Sequence, residues 1–360
     1  MLKKTTTLIF ALALVSLHAL GQVEPPRLEP TPSTAKQIAL IDEGVALHDQ
    51  GNYDAAISKY EEVLKENPNN VEALHELTFS YSMKKDYRKA LDTAYKGAQF
   101  KSKLLHAFYV QIGNNLDLLG EPKKALEVYK AGIKIQPDAL LYFNLAVTYR
   151  SLSKPDDAKK ALKQAIALNP GHPGSHLLLA ALWHQGGYST PSLLAACRFL
   201  VLEPSSERAT SALKLVQDVM RGGVTAGKNP NEINILMAPP GKTDEGDFGG
   251  IDLALGLSRA AGMTEKNKGK TGMQLQVEQF ETLFAIMAEL SDKSDKNKFT
   301  WKFYVPYFSE LKQKKHLEPF VYYINQSEGN EEVQKWLNNN KARVNEFLAW
   351  SKDYSWPKAD

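Results

Sequence analysis

Apolar residues recur every third or fourth position in several stretches of this 360-residue chain, the spacing that gathers them on one face of a helix. In MQLQVEQFETLFAIMAEL the stripe is Val277, Phe280, Leu283, Phe284, Met287 and Leu290. In EEVQKWLNNNKARVNEFLAW it is Val333, Trp336, Leu337, Val344, Phe347 and Leu348. Asn330 is placed to cap this second stretch, with Glu331 and Glu332 in the first turn, where the helix dipole favours acids. Ile251 to Ala261 predicts a third, shorter helix, while FVYYI (320–324) is too short to divide between strand and helix. FTWKFYVPYFSEL (299–311) is dense in aromatics. Read as helix, it puts Trp301, Tyr304, Phe308 and Leu311 on one face and Phe303 and Tyr307 on an adjacent stripe. Pro306 removes a backbone donor and pushes Val305 away from helical angles, so a kinked helix or two short helical pieces are expected. With Trp336, Trp350 and Trp356 nearby, most of these rings are expected to fill a shared core. Tyr307 or Phe303 remains the candidate for an exposed binding patch.

The first half of the chain repeats itself. GNYDAAISKYEEVLKENPNN (51–70), GEPKKALEVYKAGIKIQPDA (120–139) and KPDDAKKALKQAIALNP (154–170) share a turn, an alanine, a bulky residue four places on and a closing proline. The closing prolines Pro68, Pro137, Pro170 and Pro204 fall about one or two lengths of ~34 residues apart, the period of a helix–turn–helix solenoid unit. Residues 205–221 follow with serines at the cap, Ala209, Leu213 and Val216 on one stripe, and Gly222 just beyond the end.

This pattern resembles the tetratricopeptide repeat (TPR) family. The small residue where the two helices of a unit cross is matched by Gly44, Gly113, Ala146 and Ala180, and the large residue three further on by Leu47, Leu116, Tyr149 and Trp183. The second-helix alanine is Ala56, Ala90, Ala125 and Ala158, with Tyr60, Tyr129 and Leu162 as bulky partners. Five units result, about 37–70, 71–105, 106–138, 139–172 and 173–205. The second departs from the pattern at Ala94 and Ser102, the fifth at Ser192. The resemblance implies a mainly α fold: a right-handed superhelical α-solenoid over 37–221, counting 205–221 as the capping helix, followed by a smaller, mainly helical C-terminal domain. Residues 222–250, rich in glycine, proline and polar residues around the apolar run Ile233 to Met237, are expected as a linker, and 251–360 as an aromatic-rich helical domain.

In this family the first helices of successive units line a concave groove that selects an extended peptide or a partner helix. Carried onto this chain, the groove positions are His75, Phe79, Ser82, Val110, Asn114, Asp117, Phe143, Val147, Arg150 and His184. They mix apolar, polar and both charge signs, which suits a protein segment better than a nucleic acid, whose phosphates call for a basic strip. A subclass of the family grips a C-terminal carboxylate with a lysine and asparagines. Ile41 and Val45 occupy those places here, so that clamp is not expected.

Composition narrows the class further. Hydrophobic residues make up 43% and charged residues 24%, as in a soluble globular protein. The 44 basic residues nearly balance 41 acidic ones, and the net charge of +3 gives no reason to expect a nucleic-acid or membrane partner. The N-terminus has Lys3 and Lys4, an apolar run from Leu8 to Leu20, and small residues at Ala19 and Gly21. This order reads as a secretory signal over 1–21, with a run too short to span a bilayer stably, and predicts an exported mature chain in the periplasm or outside the cell. Residues 22–36 then read as a proline-rich spacer. Cys197 is the only cysteine, so no disulfide can form within the chain, and its expected place is a buried apolar site.

Motifs of catalysis are incomplete. GKT at 241–243 and 269–271 lacks the earlier glycine of a phosphate loop, since Leu236 and Thr264 stand there. GLSRA (256–260) ends in Ala260 where a nucleophile elbow needs glycine. DFG (247–249) stands without the rest of a kinase signature. Of His172, His176 and His184, the first two do not share a helical face, because Pro173 and Gly174 lie between them, and loop and groove exposure explain the three more simply than a metal. Lys293, Lys296, Lys298, Lys302, Lys312, Lys314 and Lys315 are diluted by Asp292, Asp295 and Glu310. No enzyme, metal or cofactor is expected. The favoured function is an adaptor or scaffold that binds a protein or peptide segment. A structural part of a cell-envelope complex and an enzyme with chemistry in its C-terminal domain are the other two classes.

Overall fold

The computed structural model describes residues 25–222, 224–226, 228, 232–235, 244–264, 267, 269–291 and 297–357, and the signal segment lies outside them. The chain divides into two compact units, 1–136 and 137–360.

The first unit is three helix pairs: α1 (Ala35–Asp49) with α2 (Tyr53–Glu66), α3 (Val71–Met83) with α4 (Tyr87–Gly97), and α5 (Leu105–Leu118) with α6 (Pro122–Ile135). Side chains start the helices where the sequence changes character. Thr34 accepts from the Gln37 amide in a capping box, and Asn70 accepts from that of Ala73, each satisfying a backbone donor that the first turn leaves open. Within a pair, the missing side chain on one helix admits a ring from the other. A Cβ at Gly44 would stand 2.5 Å from the Tyr60 ring, and one at Gly113 2.2 Å from the Tyr129 ring. Both tyrosines are fully buried. Between pairs, Gly97 gives the same clearance to Phe108.

The proline-rich segment before α1 is extended, as a spacer should be, but it is strapped to this unit. Arg27 and Leu28 donate to the Gln99 carbonyl, Lys101 donates back to that of Leu28, and Thr31 donates to that of Asn69. Asn67 and Asn70 reach the strap with their amides at Thr31 and at Ser33 Oγ. Prolines leave carbonyls without a neighbouring donor, and these turns supply donors to them.

The second unit opens with two more pairs, α7 (Ala139–Ser151) with α8 (Pro155–Leu168) and α9 (Pro173–Gln185) with α10 (Ser189–Leu202). Then come α11 (Glu207–Arg221), a short antiparallel ribbon of β1 (Val224–Ala226) and β2 (Ile233–Ile235), α12 (Gly249–Gly262) and α13 (Gly272–Leu290). A π-helical turn (Thr300–Tyr304) leads into α14 (Val305–Gln313), followed by α15 (Leu317–Ile324), α16 (Glu331–Asn339) and α17 (Lys341–Asp353). FVYYI is therefore helical, and the EEVQKW stretch is two helices broken at Asn340, whose backbone (φ −120°, ψ 29°) leaves the helical region. Ser192, the fifth unit's departure from alanine, donates its hydroxyl to the Ala180 carbonyl inside the α9–α10 contact. No described helix is long and apolar enough to cross a membrane.

The helices after α11 do not stand apart from the last two repeats. Every residue of α10 from Thr190 to Val201 is buried, because α9 and α11 cover it on two sides and α12, α15 and the π-turn on others. Polar ties cross the same boundary. Thr190 donates to Asp252 (2.6 Å), and His176 Nδ1 meets the Tyr304 hydroxyl (2.7 Å) while its Nε2 meets the Pro170 carbonyl. Glu245, fully buried, accepts from the amide and hydroxyl of Thr300 and pairs with Lys163 of α8. Arg198 of α10 is buried and, among the described residues, pairs with no carboxylate. It donates to Ser351 (2.9 Å) and lies over the rings of Tyr307 and Trp356.

The aromatic stretch at 299–311 is core. Trp301, Phe303, Tyr304, Tyr307 and Phe308 are all buried, so neither Phe303 nor Tyr307 is an exposed patch. Tyr307 stacks on Trp350 and Trp356, and Phe303 on Trp356. Pro306 does not break the helix. Val305 stays helical (φ −57°, ψ −45°) and donates to the Thr300 carbonyl five residues back. The wider π turn makes room for the proline ring, which in a regular helix would strike the carbonyl four residues earlier. DFG is structural here: Asp247 accepts from the Gly249 amide and Phe248 stacks on Trp301 at 4.7 Å. Cys197 is fully buried, and burial raises its thiol well above the usual range.

Two outcomes are expected. Gly113→Ala pushes a methyl group into a fixed, buried ring and should cost about 2–3 kcal/mol in urea unfolding, the scale of an overpacked core. A loss near zero would mean that the α5–α6 contact is loose. Burial, aided by the charge of Arg198, pushes His176 down to about 3, whereas the unfolded histidine takes its proton near 6.5. The unfolded chain thus binds the extra proton between those values, and stability falls as pH falls through that window. At pH 4.5 the loss from this group approaches about 2–3 kcal/mol. Unfolding of His176→Gln should depend less steeply on pH between 6.5 and 4.5, and an unchanged slope would refute this account.

Candidate functional site

Three points in the turns of the first unit have positive φ, Gly51 (77°), Lys85 (67°) and Gly120 (76°), and reverse the chain within each helix pair so that α1, α3 and α5 come to lie next to one another in series. Direct side-chain bonds tie this first-helix face together. At the end of α1 the His48 ring stacks on Phe79 of α3 at 4.6 Å, and its Nδ1 meets Ser80 Oγ at 2.7 Å. Between α3 and α5, Gln111 donates to the His75 carbonyl (3.2 Å), and Ser82 Oγ bridges the Thr78 carbonyl and Asn115 Oδ1.

These ties sort the expected groove residues of the first unit. Ser82 holds neighbouring helices, and Asn114 accepts from the Tyr129 hydroxyl at 2.7 Å. His75 is half-buried with Nδ1 2.9 Å from Glu76, and it meets Phe108 edge-on. Val110 and Asp117 are half-buried. Phe79 is different: it keeps 44% of its surface exposed although it is a large apolar side chain. In the second unit, described by itself, Phe143 packs edge-on against His172 at 4.7 Å, Val147 is half-buried, and Arg150 and His184 are exposed on α7 and α9. His172 Nδ1 bonds Ser175, and His176 is turned into the core, so the three histidines of this unit do not converge.

Other exposed residues share the face. Ile38 on α1, Met83 on α3 and Leu118 on α5 are large apolar side chains in contact with solvent. Ile38, Asp42, Val45 and Asp49 run along α1 at spacings of four, three and four. One repeat on, the same stripe is Glu72, Glu76, Phe79 and Met83, and on α5 it is Ala107, Gln111, Asn114 and Leu118. That spacing was available in the sequence, but the choice of which rows face outwards depends on the turns between helices.

Tetratricopeptide repeat models match residues 47–94, 106–138 and 139–172. The second and third of these follow the α5–α6 and α7–α8 pairs, and the first runs from the end of α1 into α4. These residues are tetratricopeptide repeats. No curated protein matches it significantly. Among solved structures, a thermophilic TPR protein from Thermus thermophilus is 27% identical with a TM-score of 0.43, over 49% of this chain and 99% of its own. MamA from Desulfovibrio magneticus is 19% identical with a TM-score of 0.39, over 49% and 99%. PilF from Pseudomonas aeruginosa is 17% identical with a TM-score of 0.40, over 51% and 88%.

A cavity of about 510 Å³ opens in the second unit, between α11, α12 and α13. Of its ionisable side chains, Arg259, Glu328 and Glu332 serve the scaffold, and Arg221 is exposed. Arg259 donates to the Val219 and Gly222 carbonyls and so caps the end of α11, Glu328 accepts from Gln217, and Glu332 accepts from Thr271. Burial pushes Arg259 down to about 10, which leaves it charged at neutral pH.

Phe79→Ala should cost less than about 1.5 kcal/mol of folding stability, because the ring is half in solvent and has one stacking partner. Phe108→Ala, fully buried at the next contact, should cost about 3–5 kcal/mol. Thermal denaturation of both variants checks the contrast, and equal losses would mean that Phe79 is a core residue.

Proposed function

We propose that the protein is a non-enzymatic adaptor or scaffold that holds a segment of another protein on the first-helix faces of its repeats. The observation that carries this reading is the exposure of Phe79 on a face where His48, Ser80, Ser82 and Asn115 are bonded to one another across the helices. An aromatic ring that the fold does not need to bury is the kind of residue that dominates binding energy at an interface. Arg150, exposed on α7, and Phe143 are the corresponding candidates of the second unit. Neighbouring exposed apolar residues support the same role, since contiguous apolar surface on a soluble protein marks an interaction site. The basic, apolar and small-residue order of residues 1–21 supports export, so the partner is sought in the periplasm or outside the cell.

The test is cross-linking affinity purification of the full chain from its own cells, fractionated by compartment. Phe79→Ala with Phe143→Ala and Arg150→Glu should lower recovery of the co-purifying partner about tenfold or more, the consequence of removing interface anchors worth above 1 kcal/mol each. Undiminished recovery from this variant would place binding elsewhere on the molecule.

A further inference from the structure

The charges of the first unit are sorted between its two sets of helices. Among its helical residues, every arginine and every lysine except Lys36 lies on a second helix, α2, α4 or α6, and Lys36 is itself turned to Glu66 of α2 at 2.8 Å. The stripes of α1 and α3 carry Asp42, Asp49, Glu72 and Glu76 and no base. Asp42 and Asp49 are exposed and have no ion pair among the described residues. Glu72 accepts from Ser33 of the strap, and Glu76 faces His75. The remaining stripe positions include the exposed Ile38, Phe79 and Met83. On α1 acids alternate with apolar residues along the stripe, and on α3 two acids precede two apolar residues, so the neighbouring helices α1 and α3 present acidic and apolar side chains together in a fixed electrostatic and shape pattern. The first helices of the second unit carry no acid at all, so the pattern belongs to the first unit.

We infer that the partner of the first unit is a basic, amphipathic protein segment. Its bulky apolar side chains would pack on Phe79, Met83 and Ile38, and its lysines or arginines would face Asp42, Asp49 and Glu76. Like charges across an interface are costly and opposite charges speed encounter, so the sign of this surface excludes acidic segments and draws basic ones. The inference rests on the proposed binding role of these helices and adds the chemistry of what binds.

The probe is a fluorescein-labelled amphipathic peptide of leucine and lysine, about 18 residues long so that one apolar face is complete, compared with the same peptide carrying glutamate for lysine. Anisotropy with the full chain should show the lysine peptide binding at least about tenfold more tightly at low salt, with the advantage shrinking as salt screens it. Asp42→Asn, Asp49→Asn and Glu76→Gln together should remove that advantage, and Phe79→Ala should weaken the lysine peptide at every salt concentration. Neutralising the exposed second-helix acids Glu62, Asp92 and Glu127 in the same way should leave binding unchanged. Equal binding of the two peptides, or equal loss from both sets of neutralised acids, overturns the inference. A photo-cross-linker at position 79 separates the two ideas. An acidic or neutral segment captured there leaves the binding role standing and defeats the chemistry proposed, whereas capture only from other faces of the molecule defeats both.

Discussion

A pair of antiparallel helices buries one face and exposes another, so no repeat of this kind is stable alone and each needs a cover. In the interior of an array the next pair supplies it. At the end of this array the need falls on α10, whose every residue from Thr190 to Val201 is buried. Much of the chain beyond α11 is arranged around that demand. The π-turn, α12 and α15 press on α10 or its neighbours, and Arg198 reaches from α10 into the aromatic cluster of Tyr307, Trp350 and Trp356. A buried guanidinium without a carboxylate is costly unless hydrogen bonds and ring faces replace water around it. Here Ser351 and two rings do so, which couples the last helix of the chain to the last repeat. The compact units consequently part at Gln136–Pro137, inside the repeat array, instead of at the glycine- and proline-rich stretch after it.

The same economy explains the surface of the first unit. Close crossings at Gly44 and Gly113 place whole tyrosine rings inside the α1–α2 and α5–α6 pairs. The first helices are then held in register by side-chain bonds from His48, Gln111 and Ser82, which use polar groups that would otherwise be free to meet a ligand. What remains exposed is apolar or acidic. Helices tied to one another in this way are pre-ordered, and a partner docking on them loses little to the ordering of the backbone.

The repeats were legible because their crossing contacts are local: a small residue and a ring within one helix pair, at fixed spacing, leave a mark that a single sequence carries. The departures at Ala94, Ser102 and Ser192 did not disturb the helices, since Ala94 still fits a buried contact and Ser192 finds a carbonyl. The helix stripes of Phe280, Phe284 and Met287 and the cap at Asn330 were legible for the same reason. Of the ten groove positions expected from the sequence, three, His75, Ser82 and Asn114, are engaged in the array's own bonds. Neither Ser82 nor Asn114 announces in the sequence that its partner is Asn115 or Tyr129.

By itself, then, the sequence determined that this chain is mainly helical, that it carries tetratricopeptide repeats, and that its aromatic stretch at 299–311 is too apolar for one face of a helix. Those properties follow from spacing along the chain. Tertiary structure decided the rest: that Pro306 is absorbed in a π turn, that the proline-rich strap is bonded to the turns it passes, that α10 is enclosed by helices far along the chain, and that Phe79 lies open while Tyr307 does not. Each of those outcomes turns on which distant surfaces meet, and an apolar or aromatic residue reads the same in sequence whether a neighbouring helix covers it or water does.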